Sequence, residues 1–363
     1  MKRLYNIISI TCFVYFCIML FLDVNFVIHN EENVVSGIPL LYENLIYIIL
    51  MAIPFLILLS ICFLLSFLCK KRGIMLPSTL KICWRFKMKG FKAIYFVIFI
   101  GIILLFISFV WIFQNKFLYY PSYDDLAYIN LTITNNDKLE EIYISADAEK
   151  YHGWGYKKSP DCPTIIYFGG NAQSSENFFF NMEKNDGWKS FGNCNVVMID
   201  YPGYGLSTGK TEYKSILRMA EATYKYVNES DFYGKNEIIV MGFSLGTGVA
   251  SYVTSSFDTD GLILVAPYNN ARELYNNMCN IFHGPLNFLI RNPFPSDQFA
   301  KNVSVPTLII ASEDDEVVPY ELSYRLKDYF VNYEFINVEG LYHNELLSDE
   351  NVLNEIKLYV NNH

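Results

Sequence analysis

In "EIIVMGFSLGTGVA", residues 237–250, Ser244 sits between Gly242 and Gly246 where an apolar run gives way to small residues. A serine on a sharp strand-to-helix turn has a strained backbone and an accessible hydroxyl, and only residues without bulk two positions away leave room for it. A strand before and a helix after distinguish this G-x-S-x-G from a helix-capping serine in a plain glycine turn. A free serine hydroxyl is a weak nucleophile, so a base must be near and a third group must hold that base. The chain has five histidines. His29 lies in a loop between apolar runs, His152 ahead of the first parallel strand, His283 in an irregular insert and His363 at the end; His343 alone follows a core strand, in "NVEGLYHNEL". The orienting acid should come from a strand end between serine and histidine. There "TLIIASEDDEVVP" supplies Glu313, Asp314, Asp315 and Glu316. A solvated loop and helix start account for three of the four, and spacing does not choose between Asp314 and Asp315. Attack on an acyl carbon also needs donors for the oxyanion. Leu245, next after the serine, offers one backbone N–H, and about Asn171 in "YFGGNAQ" another.

These residues need a frame that brings them to one edge. "LAYINLTIT" and "LEEIYISA" alternate polar with apolar and suit antiparallel strands wet on one face. Beyond them the apolar runs are continuous: "TIIYFGG", "NVVMID", "EIIVMGFS", "GLILVAP", "TLIIAS" and "YEFINVE". Between and after them stand the helical stretches "SENFFFNMEK", "EYKSILRMAEATYKYV", "GTGVASYVTSSF", "YELSYRLKDYF" and a last helix near Asp349 to Asn361. Strands buried on both faces and linked by helices predict an α/β domain, a mostly parallel twisted sheet with helices on each side, over residues 120–363. In such a sheet chemistry gathers at the carboxyl ends of the strands.

"YFGGNAQ", "VVMIDYPGYGLSTG", "GFSLGTG", "EDDEVVP" and "GLYHNEL" occur in an order and spacing that resembles the α/β-hydrolase fold. They look most like its short-capped, membrane-associated serine hydrolases, a group that includes protein depalmitoylases. The resemblance covers roughly residues 120 to 361. It implies Ser244 as nucleophile, His343 as base and Asp315, of the D-x-x-V-P portion, as the acid, with Asn171 and Leu245 at the oxyanion. It implies that "YPGYG" lies beside the mouth of the site, and that the insert Tyr268 to Val303 is a short cap whose Phe282, Leu286, Phe288, Leu289 and Ile290 line an open groove or pack on the core. Gly169-Gly170 stands where the family more often has His-Gly.

Residues 1–119 read differently. Uncharged runs at about 4–22, 44–69 and 93–115 each approach or exceed the ~20 residues that cross a bilayer, and predict three transmembrane helices. No small-x-small cleavage site follows the first, so a signal peptide is the weaker reading. Lys2 and Arg3 precede the first run, the first loop is acidic, and "KKRGIMLPSTLKICWRFKMKGFK" between the second and third is basic. Basic loops stay inside, so the amino terminus is expected in the cytoplasm and the domain after Asn115 on the outer, periplasmic, lumenal or extracellular side. There Cys162 and Cys194 each precede a predicted strand and could pair in an oxidising compartment.

The outer part carries 17 Lys and Arg against 33 Asp and Glu, which argues against nucleic-acid binding. No metal-like cysteine spacing appears, and no metal or organic cofactor is implied. The expectation is a membrane-anchored serine hydrolase acting on an ester or thioester, with tethering favouring a lipid or lipidated substrate. A non-catalytic binding or assembly domain, or a peptidase on the same frame, are the alternatives. A transporter role lacks ionisable residues within the apolar runs.

Overall fold

The structure, a computed structural model, describes residues 136–362 other than 186, 279–281 and 283, together with 107–108, 110–116 and 118–122. The described residues belong almost wholly to the second of two compact units, Val110–His363. Among them no helix is long and apolar enough to cross a membrane. The expected spans at 4–22 and 44–69, residues 93–106 of the expected span at 93–115, and the strand expected at "LAYINLTIT" lie outside the described residues.

Eight strands form one sheet in the order β1-β2-β4-β3-β5-β6-β7-β8. They are β1 (Leu139–Ala146), β2 (Glu149–Tyr156), β3 (Thr164–Phe168), β4 (Asn195–Ile199), β5 (Ile238–Phe243), β6 (Gly261–Val265), β7 (Thr307–Ser312) and β8 (Tyr333–Val338). β2 pairs antiparallel with β1 and β4, and every other pairing is parallel. Among the described residues, after a helical stretch at 110–116, the helices are α1 (Ser175–Lys184), α2 (Tyr213–Asn228), α3 (Leu245–Ser256), α4 (Ala271–Met278), α5 (Ser296–Ala300), α6 (Tyr320–Leu326) and α7 (Glu350–Asn361). The expectation of a mostly parallel sheet with helices on both faces is met.

The continuous apolar runs explain why. Ile166, Val240, Leu264 and Ile309 face one apolar cluster with residues of α2, α3 and α6, while Ile165, Ile239, Ile263 and Ile310 face a second with residues of α1 and α7. Alternate side chains of one strand thus serve opposite faces, and each fully buried one is worth roughly 1.5–3 kcal/mol. β2 was not legible as a strand: "EKYHGWGY" has two glycines and a histidine where an apolar run would be read. The cysteine pairing is not formed. Cys162 and Cys194 are both free and buried, and Cys194 Sγ donates to Phe191 O at 3.3 Å. Burial pushes the Cys194 thiol up to about 12.

The insert over 268–303 contains α4, a 3₁₀ turn at Gly284–Leu289 and α5. Leu289 is buried, Phe282 and Ile290 are half-buried and Phe288 is exposed, so the expected apolar wall divides between core and surface. Residues 110–116 brace this insert. Gln114 Nε2 donates to Leu289 O at 3.0 Å, and the Arg291 N–H donates to Gln114 Oε1 at 3.0 Å.

Candidate active site

β5 ends at Phe243, and Ser244 follows with φ 51° and ψ −116° before α3 begins. A non-glycine residue there costs of order 1–3 kcal/mol, which the buried apolar side chains of β5 and its neighbours exceed. The turn is held from both sides. The Ser244 N–H donates to Val265 O at 3.0 Å on β6, and its carbonyl accepts from Thr247 N at 3.0 Å and Thr247 Oγ1 at 2.6 Å. Its side chain makes no capping hydrogen bond to α3, so the helix-cap alternative is not how this serine is used.

Gly246 fixes how closely α3 approaches the sheet. A Cβ on it would stand 1.9 Å from Phe168 O, and one on Gly242 would stand 2.5 Å from Gly246 O. Alanine at 246 gains about 1 kcal/mol of helix propensity, but the backbone of Phe168 and Gly169 cannot yield to the added methyl. Gly246→Ala is therefore expected to destabilise the protein by about 3 kcal/mol or more, read from the denaturant midpoint.

His343 begins a 3₁₀ turn, His343–Ser348, after β8. Its Nδ1 lies 2.7 Å from Asp315 Oδ2, and both residues are buried. An ionised carboxylate only accepts, so Nδ1 carries the proton and Nε2 keeps its lone pair. Asp315 is itself fixed, because its Oδ1 accepts from Val317 N at 2.9 Å and Val318 N at 2.7 Å. The imidazole stacks on Phe243, the residue before Ser244, with ring centroids 4.9 Å apart and 28° between planes. The structure thus joins His343 to Asp315 and sets the pair against the residue that leads into Ser244.

The expectation that three of the four acids are merely solvated does not hold. Asp314 Oδ2 accepts from Gly340 N at 2.7 Å, Glu316 Oε2 from His343 N at 3.0 Å, and Glu313 Oε1 from Asn337 Nδ2 at 2.6 Å. All four acids bind the segment from β8 to His343, so the loop after β7 fixes the position of the histidine.

Asn171 follows β3 in a turn pressed against the serine. A Cβ on Gly170 would meet the Phe243 ring at 2.9 Å and Ser244 Cβ at 3.6 Å. Gln173 Oε1 accepts from Gly170 N at 2.9 Å and from Tyr167 Oη at 2.8 Å, and Tyr201 Oη donates to Gly169 O at 2.6 Å. Burial lifts the Tyr201 phenol well above the ordinary tyrosine range, so it remains a donor. The Asn171 side chain is clamped three ways: Nδ2 donates to Leu118 O at 2.8 Å, and Oδ1 accepts from Tyr120 N at 3.1 Å and Tyr204 Oη at 2.7 Å. The "YPGYG" stretch therefore touches the Gly169–Asn171 turn through its two tyrosines. That clamp and the strap at 118–120 were missed in the sequence because their partners lie far apart along the chain. Leu245, the other expected donor, opens α3, and its carbonyl accepts from Tyr268 Oη at 3.3 Å.

A model of the alpha/beta hydrolase fold matches residues 163–288, which include Ser244 but neither Asp315 nor His343. The alpha/beta hydrolase domain-containing protein WAV2 of Arabidopsis thaliana is 27% identical over 60% of this chain and 76% of its own length. The lysophosphatidylserine lipase ABHD12 of Danio rerio is 30% identical over 46% of this chain and 47% of its own length. This chain thus spans about half of that lipase. The esterase Pf2001 of Pyrococcus furiosus superimposes with a TM-score of 0.52 at 16% identity, over 67% of this chain and 97% of the esterase. The chain has the alpha/beta hydrolase fold, with an eight-stranded, mostly parallel sheet.

Proposed function

We propose that this protein is a serine hydrolase that cleaves a carboxylic ester or thioester through an acyl-enzyme intermediate. The observation that carries the reading is the 2.7 Å contact between His343 Nδ1 and Asp315 Oδ2, with the imidazole stacked on the residue before a serine at φ 51°. In this reading Ser244 Oγ attacks the carbonyl carbon as His343 Nε2 takes its proton, and Asp315 stabilises the imidazolium that forms. The N–H groups of Asn171 and Leu245 receive the oxyanion. Collapse expels the alcohol or thiol with the proton from His343. Water, deprotonated by the same nitrogen, then releases the acid.

A lipid or lipidated substrate is supported by the lipase among the relatives and by the exposed Phe288 on the cap. Anchoring in a membrane by three spans, with this domain outside and the amino terminus in the cytoplasm, rests on the three uncharged runs and the basic second loop. Labelling with a fluorophosphonate and a panel of esters and thioesters of graded acyl length test the chemistry. Native protein that takes no label and turns over no member of the panel would leave a binding or assembly domain as the better reading.

The clamp on Asn171 gives a finer expectation. Asn171→Ala keeps the backbone donor but frees the turn from Leu118, Tyr120 and Tyr204. It is expected to lower kcat about tenfold, ~1.4 kcal/mol, with KM little changed, because the lost order matters when charge develops on the oxygen. A raised KM at constant kcat would place Asn171 in substrate binding instead.

A further inference from the structure

At the amino end of α1, three buried side chains converge. His152 on β2, Glu176 on α1 and Asp200 just after β4 are each about 1% exposed. His152 Nε2 lies 2.9 Å from Glu141 Oε1 on β1, while Nδ1 lies 3.2 Å from Glu176 Oε1 and 3.5 Å from Asp200 Oδ2. One ligand atom from each of His152, Glu176 and Asp200 falls within 4.8 Å of the others.

The polar atoms of this cluster are unequally served. Asp200 accepts from the Ser175 N–H at 2.6 Å and the Ser175 hydroxyl at 2.8 Å. Both carboxylate oxygens of Glu176 and Nδ1 of His152 are buried without a well-aligned hydrogen bond, Oε1 and Nδ1 meeting only as the 3.2 Å ion pair. A buried acceptor without a partner costs about 1–3 kcal/mol, and more when charged. Here two sit on one carboxylate, beside a second carboxylate. Glu141, being a carboxylate, accepts from His152 Nε2. Burial would lower the His152 imidazole, but Asp200 and Glu176 outweigh it and raise it to about 10, so without a metal Nδ1 holds a proton between the two acids, and a cation there takes that proton's place. Acceptors that face one another in this way are the donor set of a cation. An imidazole whose far nitrogen donates to a carboxylate is also the usual outer support of a metal-bound histidine.

We propose that His152 Nδ1, Glu176 and Asp200 Oδ2 bind one divalent metal ion of the zinc class, with Glu141 fixing the imidazole tautomer. Four-coordinate zinc holds nitrogen and oxygen at ~2.0–2.2 Å, which sets neighbouring donors roughly 3.2–3.6 Å apart. The 3.2 and 3.5 Å separations match that spacing. Glu176 fills one corner through one oxygen or as a chelate, because the two oxygens of one carboxylate stand too close together to take two tetrahedral positions. Imidazole with few oxygens favours zinc-like ions over magnesium or calcium, which take six or more oxygens. The site is closed: a Cβ on Gly205 would stand 2.3 Å from Asp200 Oδ2 and 3.0 Å from Glu176 Oε2. An ion there is structural, and joins β2, the end of β4 and the start of α1, the elements that flank the Asn171 turn. The proposal does not depend on the hydrolase reading.

The test uses the full chain in detergent, without a polyhistidine tag, stripped with a chelator and reloaded with zinc. About one ion per chain surviving gel filtration, with a melting temperature several degrees above the stripped form, is the expected result. Glu176→Gln should lose both, since its amide can donate to Nδ1 in place of the ion. Wild-type protein holding less than about 0.1 ion per chain, with the same melting temperature stripped or loaded, overturns the proposal and leaves a buried imidazolium held by its acids. Retention of the ion by Glu176→Gln also overturns it. Should that variant fail to fold, X-ray absorption of the loaded wild type decides: nitrogen and oxygen neighbours at roughly 2.0–2.2 Å support the site, and sulfur ligation removes it.

Discussion

Ser244→Ala is expected to lower turnover of a hydrolysable ester about 10⁴- to 10⁶-fold, or ~5.5–8 kcal/mol of transition-state stabilisation, and to abolish fluorophosphonate labelling. On the mechanism proposed above, the residual rate is what the oxyanion donors and substrate binding supply without a nucleophile. The fold should not suffer, because Ser244 Oγ caps nothing in α3 and alanine needs no more room than serine. The strain at φ 51° remains with alanine but not with glycine. Ser244→Gly should therefore be inactive and more stable than the native protein, by roughly 1 kcal/mol. Activity and stability then move in opposite directions at one position, as expected where strain serves the reaction. Full esterase turnover in Ser244→Ala would remove the serine from the chemistry.

Much of this frame was readable before any coordinates, for a physical reason. β3 to β7 are buried on both faces, so their residues must be apolar almost without exception, and a continuous apolar run of five or six survives any choice of neighbours. The turn at Ser244 was readable because Gly242 answers to backbone atoms of Gly246 and Thr247 within the same strand-turn-helix unit; the β3 backbone that Gly246 meets was not readable. β2 escaped because its interior is not uniformly apolar: His152 belongs to a polar cluster, and Gly153 and Gly155 leave space for neighbouring strand and side-chain atoms.

What the sequence hid was partnership over distance. Nothing local tells that Asn171 is clamped by residues 51 and 53 positions earlier and by a tyrosine 33 positions later. Nor does composition reveal that Glu176 and Asp200 share an imidazole from β2. The acids after β7 show the same limit. An Asp-rich loop start looks like capping and solvation, yet each of those carboxylates accepts from the segment that delivers His343. The cysteines err the other way. Cys162 and Cys194 precede the adjacent strands β3 and β4, but adjacency of strands does not orient two thiols toward each other, and both are free.

The choice between Asp314 and Asp315, open in the sequence, becomes a second large effect. Asp315→Asn should retain the fold, since one side-chain oxygen still accepts from Val317 N and Val318 N. That anchoring turns the new amide NH₂ toward His343 Nδ1, where the carboxylate oxygen now stands at 2.7 Å. Two donors cannot share that contact, so the imidazole moves its proton to Nε2 and loses the lone pair that would take the proton from Ser244. A loss of about 10⁴ in kcat is expected, with little change in KM or melting temperature. Asp314→Asn keeps an oxygen for Gly340 N at an exposed position and should cost a few-fold at most. The ratio between the two variants isolates tautomer control from loop positioning, since both change one oxygen for one amide in the same loop. Asp315→Asn within tenfold of the native rate would show that the carboxylate at 2.7 Å does not set the tautomer of the base.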